Sequence, residues 1–279
     1  MNDGVSPRDE PAPAGPETKL PGLAVVIPAK DEAARIAATV AAALRIEGVS
    51  VVVVVDDGSS DNTGDLAEKA GASVVRHQWN KGKGAAMDAG SARVASLDKA
   101  EGITVPRALL FLDADLGESA ANAGVLAEPV LAGEADMTIA IIPAQSTPGG
   151  GSGRVVRLAR NGIRRETGWT ATQPLSGSRC LTRAAFAKAR PLAKGWGVET
   201  GLTIDLISAG FRVVEVPCEL HHRVTGTDLE GKKHRAAQYR DVCLALIDRK
   251  LRKRDSRIVL SAIVVSRVGR SVISGIRRR

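Results

Sequence analysis

The sequence predicts an α/β fold: a mostly parallel central sheet flanked by helices, with a helical basic C-terminal extension. Three observations predict it. Five short apolar runs within residues 23–142 alternate with segments at helical spacing, the rhythm of strand and crossover helix that builds a parallel sheet. Polar residues gather where four of these segments end, at Pro28 to Glu32, Asp56 to Asp61, the 80–84 loop, and Asp113 with Asp115; open parallel sheets bind ligands at such carboxyl ends. Finally, hydrophobic residues make up 44% and charged residues 25%, while aromatics are only 3%, so a soluble core must be built from Val, Leu, Ile and Ala.

The elements follow in order. LAVVIPA (23–29) reads as strand one, and residues 31–47 as a helix opened by two acids, which favour a helix N-terminus. Five valines open strand two within residues 50–65, followed by a polar turn in which Ser60 or Asp61 caps the next helix. DLAEKAG is a short helix stopped by Gly71, ASVVRH (72–77) is strand three, and residues 80–97 are a glycine loop running into a helix. ALLFLDADLG is strand four and ADMTIAII (135–142) strand five. Residues 144–153 have the composition of a flexible loop. Beyond it come a basic amphipathic helix (154–166), a strand and helix (173–186), a helix (197–210), a strand (211–223) ending in His221 and His222, and a long basic helix (230–254). No internal repeat is present. The reading is a leader without order over 1–20, one domain over 21–248, and a basic amphipathic tail over 249–279.

Composition excludes several classes. Cys180, Cys218 and Cys243 are odd in number and widely spaced, giving neither a disulfide framework nor a zinc pattern. With no apolar run of signal-peptide type in the leader and no run long enough to span a bilayer, a cytoplasmic location is expected. The net charge of +8 is concentrated: residues 249–279 hold eleven Lys or Arg against the single acid Asp255. One Tyr, three Phe and three Trp make few stacking platforms, so a nucleic-acid partner is not expected.

Chemistry concentrates in three stretches. Asp113 and Asp115 follow the apolar run 108–112, and on an extended strand both side chains point the same way. They are read either as a solvated turn or as paired hard oxygen ligands for Mg²⁺ or Mn²⁺ shared with substrate phosphates. The loop Asn80-Lys81-Gly82-Lys83-Gly84 opens a helix and suits an anion, or is an ordinary glycine turn. It lacks P-loop spacing, and no G-x-G-x-x-G follows strand one, which counts against ATPase and dinucleotide-dependent chemistry.

VIPAKDE, VVDDGSSDNT, NKGKGAA and FLDAD, in this order, resemble a family 2 glycosyltransferase of the GT-A fold. The resemblance implies a nucleotide-diphosphate sugar donor and Mg²⁺ or Mn²⁺. It places the donor at Pro28, Ala29, Glu32, Asp57, Lys83, Asp113 and Ala114, within a nucleotide-sugar half over 21–143. In the acceptor half (144–248), QPLSG (173–177), GWGVETGLTID (195–205) and the strand-terminal histidine are similar to glucosyl-3-phosphoglycerate synthases. That similarity puts Leu175 beside the donor, Glu199 at the reaction centre with Asp115, and Asp115 with His222 on the metal. Gly153, Arg154, Ser176 and Gly177 fall to the acceptor. His77, His221 and His234 are read as ordinary.

The chain departs from the synthase pattern at two acceptor positions. Val156 and Val224 stand where those enzymes carry a threonine and an asparagine; two lost hydrogen-bonding groups at an anionic ligand cost about 2–4 kcal/mol. With a UDP-glucose donor, a phosphoglycerate-type acceptor is therefore weighed against a polyprenyl phosphate, because NKGKGAA and DADL also resemble dolichyl- and polyprenyl-phosphate sugar synthases. On that alternative, basic residues flanking IVLSAIVV (258–265) bring the tail to the inner face of a membrane; a solvated extension or a homodimer contact is the other reading of the tail. A nucleotidyltransferase, using a similar sheet and metal, is the rival of another class; VIPAKDE lacks its glycine-rich loop.

Overall fold

The computed structural model describes residues 22–143, 153–222 and 235–252. The proposed leader, the 144–152 loop, His234, Val224 and the tail beyond 252 lie outside the described residues.

Seven strands form one sheet in the order β3-β2-β1-β4-β6-β5-β7. They are β1 (Leu23–Ala29), β2 (Val49–Asp56), β3 (Ser73–Arg76), β4 (Ala108–Phe111), β5 (Met137–Ile141), β6 (Arg179–Leu181) and β7 (Val213–Pro217). All neighbours pair in parallel except β6, which runs antiparallel to both β4 and β5. The helices are α1 (Ile36–Ala43), α2 (Thr63–Lys69), α3 (Lys83–Ala100), α4 (Glu128–Leu131), α5 (Arg154–Thr167), α6 (Arg183–Lys188) and α7 (Val198–Ser208). A 3₁₀ stretch covers Gly117–Leu126, and residues 235–252 are helical.

Period-two alternation in the central strands serves both faces of the sheet. Val25, Ile27, Val52 and Val54 enter one core with Ile36 and Val40 of α1. Ala24, Val26, Val53 and Val55 enter a second with Met87 and Val94 of α3 and Leu202 of α7. Burial on both faces explains why these strands read as continuous apolar runs rather than alternating ones.

Five sequence expectations are corrected in detail. The first helix begins at Ile36 rather than Asp31, and the residues before it are held instead to the strand-two turn, the N–H groups of Asp31, Glu32 and Ala33 donating to Ser59, Thr63 and Asp61. Asp31 itself sits at φ 54°. Strand four ends at Phe111, so Asp113 and Asp115 lie in the turn that follows it and not on extended backbone. Residues 173–178 are loop; only Arg179–Leu181 pairs as a strand. The last strand stops at Pro217, and His221 and His222 follow in irregular backbone once its partner β5 has ended at Ile141. Asp61 does not cap α2 as its N-cap, which is Asn62, yet its carboxylate accepts the Thr63 N–H at 3.0 Å.

Candidate active site

A cleft of about 790 Å³ opens at the carboxyl ends of β1, β2 and β4. Pro28, Ala29 and Glu32 line it from the end of β1, and Asp57 from the end of β2. Asp57 is 5% exposed. Its Oδ1 accepts from the Lys81 N–H at 2.9 Å and lies 2.7 Å from His77 Nδ1; its Oδ2 accepts from the Gly82 N–H at 2.7 Å. Burial alone would raise the Asp57 pKa, but the His77 ring and the two amides outweigh it and hold the carboxyl below its usual range. Asp57 therefore fastens the glycine loop that launches α3. His77, which carried no motif, turns out to brace it.

Lys83, the first residue of α3, points across the cleft. Its Nζ is 2.8 Å from Asp113 Oδ1 and 2.8 Å from Glu199 Oε1, tying β4's exit turn to the first turn of α7. Burial works against the Lys83 charge, yet Asp113 and Glu199 hold its pKa above the ordinary value. Burial likewise disfavours ionised Asp113, and Lys83 with His222 more than offsets this, leaving its pKa lowered. Gly177 closes over the pair: a Cβ there would stand 2.4 Å from both Lys83 Nζ and Asp113 Oδ1. It lines the cleft on the Asp113 side as well as toward the acceptor loop.

Asp115 and His222 meet although 107 residues separate them, with His222 Nδ1 3.0 Å from Asp115 Oδ1 and Nε2 3.9 Å from Asp113 Oδ2. Burial opposes charge on His222, while Asp115 and Asp113 raise its pKa above the ordinary value. The exit turn is held from below by α1: Thr39 Oγ1 donates to the Ala114 carbonyl at 2.9 Å, and Arg35 Nη1 donates to the Asp115 carbonyl at 3.0 Å. Neither Arg35 nor Thr39 was singled out by sequence, since both read as ordinary positions of an amphipathic helix. Among the described residues no three His, Cys, Asp or Glu side chains form a closed metal cage. An imidazole nitrogen beside a carboxylate nevertheless suits Mg²⁺ or Mn²⁺ that takes its remaining ligands from diphosphate and water.

Leu175, Ser176 and Gly177 line the far wall. Their loop is anchored by Arg179, which is 1% exposed and donates to the carbonyls of Ser176 (2.8 Å), Pro174 (3.2 Å) and Glu199 (3.2 Å) and to Thr203 Oγ1 (2.8 Å). Burial pushes the Arg179 pKa down to about 10, leaving it a cation at neutral pH. Sequence reading missed it because a lone Arg in a strand has no pattern. The Ser176 hydroxyl oxygen is buried and has no hydrogen-bond partner. Gly153 and Arg154 do not line the cleft: Gly153 is the left-handed N-cap of α5 and Arg154 faces solvent, while Val155 and Val156 line the wall in their place. His221 is exposed, as expected.

Residues 24–189 match the family described as Glycosyl transferase family 2. The chain is 32% identical over 210 residues to Glycosyltransferase AglJ of Haloferax volcanii, an alignment covering 74% of this chain and 65% of that protein. The chain thus spans somewhat less than two thirds of that relative's length. Among solved structures it resembles glucosyl-3-phosphoglycerate synthase of Mycobacterium tuberculosis in complex with phosphoglyceric acid, with TM-score 0.65, 28% identity, and 82% and 80% of the two chains covered. The same enzyme with Mn²⁺, uridine diphosphate and glucosyl-3-phosphoglycerate gives TM-score 0.63 and 27% identity over the same shares.

Proposed function

The chain belongs to glycosyl transferase family 2, and we propose that it moves a hexosyl group, glucose from UDP-glucose, to a small phosphorylated acceptor of the phosphoglycerate type. It is a glycosyltransferase of α/β fold with a mostly parallel seven-stranded sheet. The observation that carries the finer reading is the convergence of Lys83, Asp113, Glu199, Asp115 and His222 from distant segments in one cleft. The resembling synthase has been solved with Mn²⁺, uridine diphosphate and its glucosylated product, which supports that donor and ion.

In this reading Asp57 and the Gly82 loop bind the nucleoside end of the donor. Asp115 and His222 would hold Mg²⁺ or Mn²⁺, which when bound supplies positive charge to the diphosphate as it leaves. Lys83 adds a fixed cation beside the same oxygens and Asp113 orients it. Transfer forms a bond from the acceptor oxygen to the anomeric carbon and breaks the bond to the diphosphate; the nucleoside diphosphate leaves, and the proton of the acceptor hydroxyl passes to its departing oxygen. Glu199, held in place by Lys83, orients the acceptor hydroxyl. Ser176, with an unmatched buried oxygen, and the Gly177 backbone face the acceptor.

One observation favours a second acceptor. Val155, Val156, Leu175 and Trp196 add apolar side chains to the cleft lining, which suits a polyprenyl phosphate delivered at a membrane surface through residues 249–279. The test offers UDP-glucose and GDP-mannose with 3-phosphoglycerate and with a polyprenyl phosphate, separately, and reads product by mass spectrometry. Glucosylated phosphoglycerate supports the first acceptor; lipid-linked sugar alone overturns it. A nucleotidyl adduct in place of either would replace the reaction class.

A further inference from the structure

The helical segment 235–252 has two apolar faces, and one of them is already seated. Val242, Ala245 and Arg249 are buried. Gly197 and Gly201 let the segment approach, since a Cβ at Gly197 would lie 2.6 Å from the Asp241 carbonyl oxygen and one at Gly201 2.6 Å from Arg249. Arg249 Nη2 pairs with Asp205 Oδ2 at 2.6 Å, fixing the helix rotation. At about 100° per residue, Leu244, Ile247 and Leu251 fall on the opposite side, spaced i, i+3, i+7 in one stripe. They are 57%, 55% and 52% exposed. Single exposed aliphatics are ordinary, but three aligned on one helix make a patch that marks an interaction surface.

Charge selects the occupant. On the helix Arg240 and Arg252 are paired with Asp241 and Asp248 and Lys250 is exposed, while the 27 residues that follow carry eight Lys or Arg against Asp255 alone. The chain's own tail, or a second copy, would set positive charge against positive charge. An anionic lipid surface complements it and accepts the aliphatic stripe between headgroups. No helix among the described residues is long and apolar enough to cross a membrane, so the contact lies in the interface plane. The same segment forms part of the cleft: Gln238 lines it, and the Asp241 carboxylate accepts from the Trp196 N–H at 3.2 Å. We propose that the Leu244–Ile247–Leu251 face docks this enzyme on anionic bilayers. The inference holds whichever sugar or acceptor is used.

The test is co-sedimentation of the full chain with phosphatidylcholine vesicles, with and without phosphatidylglycerol, at low and high salt. The expected result is binding only to the anionic vesicles, weakened by salt, and weakened on the order of tenfold or more in the Leu244→Gln/Ile247→Gln/Leu251→Gln variant. UDP binding by calorimetry, expected to be unchanged, shows that the variant is folded and separates failure of docking from failure of the donor-site reading. If the triple variant does not fold, Ile247→Glu alone, which sets a like charge against the lipid, must reduce binding. Wild-type chain that ignores anionic vesicles, or variants that bind them as well as wild type, would overturn the proposal. So would a dimer that the triple variant dissociates without any vesicle binding, which would make the face a contact between copies.

Discussion

Lys83 Nζ stands 2.8 Å from a carboxylate oxygen of Asp113 and 2.8 Å from one of Glu199. One cation thereby joins the donor end of the cleft to the helix that carries the candidate acceptor-orienting carboxylate. Replacing it with Met leaves two carboxylates facing each other. Breaking a fully buried pair costs about 3–5 kcal/mol; with the Lys83 and Asp113 side chains each 23% exposed, the expectation is about 2 kcal/mol of stability. Thermal denaturation should show that loss, and nucleotide-sugar turnover should fall far more steeply.

Gly177 tests the same pair from outside. A methyl group there would sit within 2.5 Å of Asp113 and Lys83. Gly177→Ala should therefore displace the pair by about an ångström and lower kcat/KM about 100-fold, with a smaller loss of melting temperature than Lys83→Met. A kinetic assay beside a thermal melt reads both.

His77 is predicted to act through Asp57. His77→Ala removes the ring that lies 2.7 Å from Asp57 Oδ1 and should raise the donor KM about tenfold, the worth of one charge-assisted hydrogen bond, with kcat little changed. His77→Asn, which keeps a donor near the same place, should recover part of the loss. A residue that merely fills space would show no such rescue.

How much of this was legible beforehand depended on range. β1 to β5 could be read because buried parallel strands leave runs of Val, Ile and Leu that no surface segment shares, and the donor-side residues sit within a few positions of those runs. The turn that holds Asp113 and Asp115 was misread as strand because periodicity does not report where pairing stops; β4 ends at Phe111. Arg35, Thr39, His77 and Arg179 escaped notice for a different reason. Arg35, Thr39 and His77 act through hydrogen bonds to partners 20 to 80 residues away, such as Arg35 to the Asp115 carbonyl, and Arg179 gathers carbonyls from a loop and a helix that only the fold brings together. Arg154 is exposed beside the cleft, which Val155 and Val156 line.

The Asp57 carboxyl has a folded-state pKa below its ordinary value of 3.8. A group of this kind contributes stability that is fully present above the unfolded value and is lost as pH falls through the lower folded one. Wild type should thus outlast Asp57→Asn in urea at neutral pH, and the gap should shrink below about pH 4. Chemical denaturation across that range is the measurement; a gap independent of pH would contradict the assignment of the charge.

Calorimetric titration of UDP in the presence of Mn²⁺, into wild type and into Asp115→Ala, tests the donor site most directly. Asp115 lies 3.0 Å from His222 at the rim of the cleft, with its side chain 19% exposed, so its removal should leave the fold standing. The account predicts metal-dependent UDP binding in wild type and its loss in the variant, with both proteins melting alike. Equal, metal-dependent binding by the two proteins would contradict it.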